Sequence, residues 1–377
     1  MAGTVTPQDV ADLVASILPD LDRMNWEQIA QNLQDYEMMS HWLKDDKIVF
    51  GDGLYIKKNL LSQLSGAASH TGMTDTDDVD IPDLMDDLQV PWRHAQTKWG
   101  YHYQTDILMN RGKSSINDTV KPRRLAAMID LAEELEAKAF QVPNVTDKLN
   151  PYGLPYWIVY NNAAVAGNNN ATPGFNGHYP IGPDGVAHTT IAGLSFNDSP
   201  KFKNYTANYA TVNKLDLLPK MRTALRKTNF RSPVTKEDMS TKRGNDRRYY
   251  TDEVTCSAFE TLGEAQNENL GRDLAPYTAG SGHGGVQEVD GTLTFKKNPI
   301  VWVPQLDDTT VFPTTIATNP IYQIDHGVFY PYCLKGDYLR ETGPVVAPNQ
   351  HNMYRVFLDL TWNLICTNRR RCAVFGK

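Results

Sequence analysis

One segment near the C-terminus constrains the fold more than any other. Tyr354, Val356, Leu358, Leu360, Trp362, Leu364 and Cys366 alternate with Arg355, Asp359, Thr361 and Asn363. Successive side chains of a strand point to opposite faces, so this period of two predicts a long strand with one buried face. The segments before it, TFKKNPIVWVPQLDD and ATNPIYQIDHGVFYPYCLKGDYLRE, also read as strands, which makes the C-terminal part strand-rich.

A helix is equally legible in DTVKPRRLAAMIDLAEELEAKAF, 118–140. Leu125, Met128, Ala132, Leu135 and Ala139 recur at helical spacing and predict the buried face, with Glu133, Glu134 and Glu136 pointing elsewhere. Asp118 is placed to cap the start, Pro122 belongs in the first turn, and Pro143 lies just past the end. At 1.5 Å per residue the helix is ~30–35 Å long, enough to be a scaffold's backbone.

Two shorter amphipathic patterns lie within 8–44, and others are predicted at 215–228 and 253–271, the last with Gly271 as C-cap. DKIVFGDGLYIKKNLLSQL, 46–64, reads as a strand bent at Gly51–Gly53. Seven aspartates follow between 75 and 87, with no basic residue among them. Their repulsion favours an exposed tip, so 46–104 reads as a long hairpin with an acidic end. An EF-hand fails here, because Val79 and Asp80 stand where its loop needs an acid or amide and then glycine.

The returning side of that hairpin, WRHAQTKWGYHY at 92–103, is dense in rings, histidines and charge. His94 and His102 would lie ~26 Å apart along a strand, too far to share a metal ion. Stacking of single-stranded nucleic acid on Trp92, Trp99, Tyr101 and Tyr103 is opposed by the acidic tip beside them. What remains is a projecting arm whose rings meet another protein surface.

Charge excludes a global attraction to polyanions. The chain has 37 Lys and Arg against 44 Asp and Glu, a net charge of -7. The run Arg369–Arg371 reads as a solvated strand end, and KRGNDRRYY at 242–250 is a second local basic patch. Four cysteines without a CxxC pair read as reduced, semi-buried thiols rather than a zinc site. With no basic leader before an apolar core and no run of ~20 apolar residues, the chain is expected to be made and kept in the cytoplasm without a membrane partner.

Signatures of catalysis are weak. GSGHGG at 280–285 fits the dinucleotide fingerprint but lacks the strand before and helix after that would seat a phosphate. No P-loop, nucleophile elbow or HExxH occurs. Asp325 and His326 are adjacent in a predicted strand and so point to opposite faces. Two alternatives use the Asn/Gly-rich region 150–213: a hydrolase or lyase with a substrate loop at 160–190 carrying His178, Asp184 and His188, and a sugar-binding adhesin built on Tyr152, Tyr156, Trp157 and Tyr179.

The order of parts, together with NPIVWVPQLDD, NPIYQIDHGVFYPYCLKGDYLRE and YRVFLDLTWNLICTNRRRCAVF, resembles the major capsid proteins of tailed bacteriophages. The resemblance implies the α+β Hong Kong 97-like fold, with an N-terminal arm at 1–45, an E-loop at 46–105 and an axial domain at 150–289. It places a peripheral domain at 106–149 and 290–377, with 118–140 as its spine helix. It also implies a non-catalytic shell subunit, without cofactor or metal, that assembles as pentamers and hexamers around double-stranded DNA. Scaffolding would be a separate protein, a portal a further partner, and the virion head the location. The E-loop would lie across a neighbouring subunit, which makes Lys57, Lys58, Asp77, Asp78, Trp92, Arg93, Lys98, Trp99 and Tyr101 the expected inter-subunit contacts. Lys57 or Lys58 could supply the lysine of an isopeptide cross-link, but no motif identifies its asparagine.

Overall fold

The computed structural model describes residues 37–44, 48–62, 68, 70, 72, 84–108, 113–160, 172–195, 199–229, 246–268, 286–289 and 292–377. The helical patterns before residue 37, the tip with Asp77 and Asp78, Gly271 and the glycine loop 280–285 lie outside them.

After a helix at Glu37–Lys44 come strands β1 (Val49–Gly51), β2 (Tyr55–Leu61), β3 (Met85–Pro91) and β4 (Arg93–His102). The long helix, Lys113–Ala139, leads to a short one at Leu154–Trp157 and to β5 (Gly174–Gly177), β6 (Thr190–Ile191), β7 (Leu194–Ser195) and β8 (Asn204–Asn208). Helices Leu217–Thr228 and Glu253–Glu268 flank β9 (Arg247–Thr251). The remainder is β10 (Val286–Val289), β11 (Thr292–Phe295), β12 (Asn298–Trp302), β13 (Ile321–Asp325), β14 (Phe329–Leu334), β15 (Arg340–Ala347), β16 (Gln350–Cys366) and β17 (Ala373–Gly376).

The chain divides into two compact units. The first takes the described residues up to Asp52, Trp92–Ala137 and Cys333–Trp362. Its centre is β16, bordered by β15 on one side and β4 on the other, both antiparallel. The alternation expected for β16 holds over its middle, where Tyr354, Val356, Leu358, Leu360 and Trp362 are buried and the residues between them partly exposed, but fails from Asn363 to Cys366, where every residue, Asn363 included, is buried.

The long helix begins five residues earlier than its sequence pattern indicated, so Pro122 sits in its interior rather than its first turn and Asp118 does not cap it. Its buried row also differs. Ala127, Leu131, Leu135 and Ala139 face inward at intervals of four, while Met128 is 39% exposed. Glu136 accounts for the rotation: its carboxylate is buried and accepts the backbone amides of Met38 and Met39 at 3.1 and 3.0 Å, at the start of the helix Glu37–Lys44. Among the described residues those amides find no acceptor within their own helix, and its N-terminal end is the positive end of the dipole. A charged side chain thus takes a place that periodicity gives to a hydrophobic one.

The second unit takes Gly53–Pro91, Lys138–Tyr332 and Asn363–Lys377. It is built on an eight-stranded sheet in the order β10-β11-β12-β9-β13-β17-β8-β5. The last strand of the chain, β17, is therefore internal, parallel to β8 and antiparallel to β13. Leu217, Leu218, Met221 and Ala224 line one face of their helix and pack with Tyr205, Tyr249, Phe259, Ile321 and Phe375 in the core. Arg247 closes that helix, donating to the carbonyls of Leu225 at 3.4 Å and Thr228 at 2.9 Å.

The basic run before β17 is internal, not a solvated strand end. Arg369 is 1% exposed and Arg371 5%. The Arg369 guanidinium donates to the carbonyls of Trp157, Phe202 and Gly177 and to the side-chain oxygen of Asn204. It ties the short helix, β5 and the start of β8 to the chain's end, and burial draws it down to about 10. Arg371 lies 2.6 Å from the buried Asp325 carboxylate, which Arg247 also faces at 3.9 Å. Three of the four cysteines are fully buried rather than half-buried. Burial, and then the adjoining Cys372 thiol, push Cys366 well above its usual range.

Candidate assembly surface

The hairpin pairs differently from the sequence expectation. β2 runs antiparallel to β3, from Tyr55 opposite Pro91 to Leu61 opposite Met85. The stretch from Arg93 to His102 leaves the hairpin and pairs with β16, from Arg93 opposite Trp362 to His102 opposite Met353. Pro91 marks the change: it has no N–H to continue a ladder, and its carbonyl instead accepts a hydrogen bond from Asn363 at 2.7 Å.

The hairpin has two faces. Ile56, Leu88 and Val90 are buried, and the Gln89 amide donates to the Ala192 carbonyl at 3.0 Å, which fixes the hairpin's base. The opposite face carries Tyr55, Lys57, Asn59, Leu61, Met85, Asp87 and Gln89, all exposed. Leu61 and Met85 face each other across the strands at 64% and 56% exposure, and Leu54, just before β2, reaches 88%. Lys57 lies on the same face opposite Gln89, while Lys58 turns to the other face and lies 5.4 Å from the Tyr332 ring.

The other expected contact residues divide by the pleat of β4. Lys98 is exposed, and Trp92 and Arg93 are partly exposed. Trp99 at 7% and Tyr101 at 0% are buried against β16, so their expected place on an outer surface is corrected. They are odd-numbered positions of the strand, on the face that packs inward, with Tyr101 stacked on Tyr354 at 5.4 Å. Asp77 and Asp78 lie outside the described residues.

A polar cluster on the first unit's sheet was missed in the sequence. His94 Nδ1 lies 3.0 Å from Thr361 Oγ1, and its Nε2 lies 3.5 Å from Asp359. Arg340 bridges Asp337 at 3.1 Å and Asp359 at 3.3 Å. At the other end of β4, Arg123 holds Asp106 at 2.6 Å, and Asp106 accepts the His102 amide at 2.9 Å. Burial pushes the Asp106 carboxyl up, but Arg123 and the His102 amide outweigh it and hold it below the usual carboxylate range. The His94 contacts follow from the β4–β16 register and Arg340–Asp359 from the β15–β16 register, neither of which a local pattern records.

The residues of the catalytic alternative have other employment. His188 Nε2 is 2.9 Å from the Pro143 carbonyl, and Asp184 accepts the Val186 amide within its own turn. His178 is pushed down to about 4 by burial and by Lys203 and Arg369. Tyr156 and Trp157, two of the proposed sugar-stacking rings, are buried. Tyr250 Oη lies 2.8 Å from His326 Nε2, while Asp325 faces arginines, so the adjacent pair does separate work. Among the described residues, no group of three or more His, Cys, Asp or Glu is placed to hold a metal ion, and no helix is long and apolar enough to cross a membrane.

No protein-family model and no curated protein matches this sequence. Solved structures do match. A subunit of the cyanophage A-1(L) capsid aligns with 94% of this chain and 96% of its own, at 13% identity and a TM-score of 0.57. The capsid of Myoviridae phage XM1 aligns over 100% of both chains at 9% identity and a TM-score of 0.49. The capsid of a native GTA particle aligns over 100% and 99% at 12% identity and a TM-score of 0.47. The first alignment takes in nearly all of both chains, so the likeness is not that of a shared fragment. This chain has the α+β, Hong Kong 97-like fold of a phage capsid subunit.

Proposed function

We propose that this protein is the major capsid protein of a tailed bacteriophage, a non-catalytic subunit that closes into an icosahedral head around double-stranded DNA. The near-complete alignment with the cyanophage A-1(L) capsid subunit carries this reading. The hairpin's outer face supports it, because Tyr55, Leu61, Met85 and the adjacent Leu54 leave apolar area uncovered in the monomer. Exposed apolar clusters of this kind suit protein–protein contact. Lys57 is an exposed cation of that face. On the first unit, Lys98 is exposed, with Trp92 and Arg93 at the head of β4.

In this reading the chain forms pentamers and hexamers in the cytoplasm of the host and ends in the virion head. A separate scaffolding protein and a portal guide closure. Many copies of a modest contact give high avidity while each contact remains correctable. The test is sedimentation of the full chain, expressed alone and with a scaffolding protein. Fast-sedimenting particles or capsomers support the proposal. A soluble low-order oligomer that turns over an ester, glycoside or amide substrate replaces it with the hydrolase reading.

A further inference from the structure

The second unit concentrates positive charge in a chain that is acidic as a whole. Lys201, Lys203, Lys214, Lys220, Arg222, Arg226 and Lys227 stand within 201–227 against the single acid Asp216. Asp216 is already engaged by Lys220 and by the amides of Ala210 and Thr211. The turn before β17 brings Arg370 beside this group.

Four side chains form a continuous ladder there. Arg370 Cζ lies 4.7 Å from the centre of the Phe175 ring on the edge strand β5. Phe175 meets Tyr205 edge-on at 5.6 Å, and Lys227 Nζ lies 5.8 Å from the Tyr205 ring. An aromatic face holds a cation without neutralising it. Lys203 feels the charge of Arg370: burial first, and then Arg370, draw its ammonium below the usual range. Among the described residues neither Lys203 nor Lys227 forms an ion pair. Arg370 thus adds to the positive potential around Lys203, which an anion would relieve. Arg370 and Lys227 are separated by two rings, which suits successive charges of a polymer better than one small anion.

We propose that Lys203, Arg370 and Lys227, with Lys201 beside them, form a contact for the phosphodiester backbone of double-stranded DNA. The surface is argued from its charges and rings, and the choice of DNA as the polyanion rests on the shell reading above. Duplex DNA presents one charge per ~1.7 Å of axis, so such an edge meets several phosphates without reading sequence.

Binding of the full chain to a fluorescent duplex of about 30 base pairs, followed from about 50 to 200 mM salt, tests the contact. Each neutralised phosphate contributes about 0.9 to the slope of log affinity against log salt. Replacing the three residues together, Lys203→Gln, Arg370→Gln and Lys227→Gln, is expected to reduce that slope by about 2 to 3 and affinity at low salt ~10-fold or more. The charge-preserving set Lys203→Arg, Arg370→Lys and Lys227→Arg should retain both. Should the triple glutamine variant unfold, each single variant should lower the slope by about 1.

Equal slopes for wild type and the glutamine variants overturn the proposal, as does wild-type binding too weak to show a slope. So does salt-dependent self-association without DNA binding that disappears when Asp75, Asp77, Asp78 and Asp80 become asparagine, since the partner is then an acidic peptide. Particle formation is scored separately by negative-stain microscopy. A glutamine variant that closes shells but no longer binds the duplex supports both readings. Charge-dependent binding without particles under any condition supports this surface and contradicts the shell.

Discussion

The ring of Tyr101 lies on that of Tyr354 with centroids 5.4 Å apart and planes 7° from parallel. The pair joins β4 to β16, and Trp99 is buried beside it opposite Val356. Trp99→Ala should therefore lower unfolding free energy by about 3–5 kcal/mol, whereas Lys98→Ala, on the exposed face, should stay within ~0.5 kcal/mol. Guanidinium unfolding monitored by circular dichroism checks both. Equal, small effects would mean that this stretch is not core.

Glu136 anchors the helix Glu37–Lys44 through two amides. Glu136→Ala leaves both donors without that acceptor, at a cost of about 1–3 kcal/mol. The loss should be local, so amide exchange across residues 37–44 should accelerate by more than that of β16. Unchanged exchange there would contradict the anchor.

Arg369 satisfies three carbonyls and an amide oxygen from separate segments. Arg369→Ala removes the donor to all of them at once, leaving Asn204 Oδ1 with the Val159 amide, and should cost at least ~3 kcal/mol. Arg369→Lys, which is cationic but lacks the planar fork, should recover only part of it. Urea midpoints of the two variants give the comparison, and a lysine variant as stable as wild type would show that geometry is unimportant.

Asp106 ties acid stability to Arg123. A carboxyl held below its ordinary value contributes stability that is complete above the unfolded value of about 3.9 and is lost as pH falls through the lower folded value. Arg123→Gln removes most of that depression. Wild type should therefore melt above the variant at pH 6, with the difference shrinking below about pH 4. Melting curves across that range check the sign, and a gap that widens in acid would reverse the assignment.

On the hairpin's outer face, Leu61→Ser with Met85→Ser removes an exposed apolar pair. Unfolding should change by no more than ~0.5 kcal/mol, while the yield of closed particles falls sharply. Normal particle yield would move the contact elsewhere.

Periodicity made β16 and the long helix legible in the sequence, because both patterns are local. It did not make the helix's buried row legible, since the charge of Glu136 finds its partners almost a hundred residues away. The same limit explains Arg369 and Arg371: three consecutive arginines read as a solvated end, and only the insertion of β17 between β13 and β8 buries two of them. For the assembly surface, the sequence marks Lys57 and Lys58 alike, and only the pairing of β2 with β3 turns Lys57 outward and Lys58 to the other face. The parity that buries Trp99 and Tyr101 depends on pairing with β16, which no local pattern in 92–103 records.

The most direct measurement of the central claim is electron cryomicroscopy of the full chain's fastest-sedimenting fraction, prepared with a scaffolding protein. Closed shells are predicted, with this subunit in rings of five and six and the β2–β3 hairpin lying on a neighbouring copy. A monomer or small closed ring as the largest species, with that hairpin face open to solvent, would contradict it.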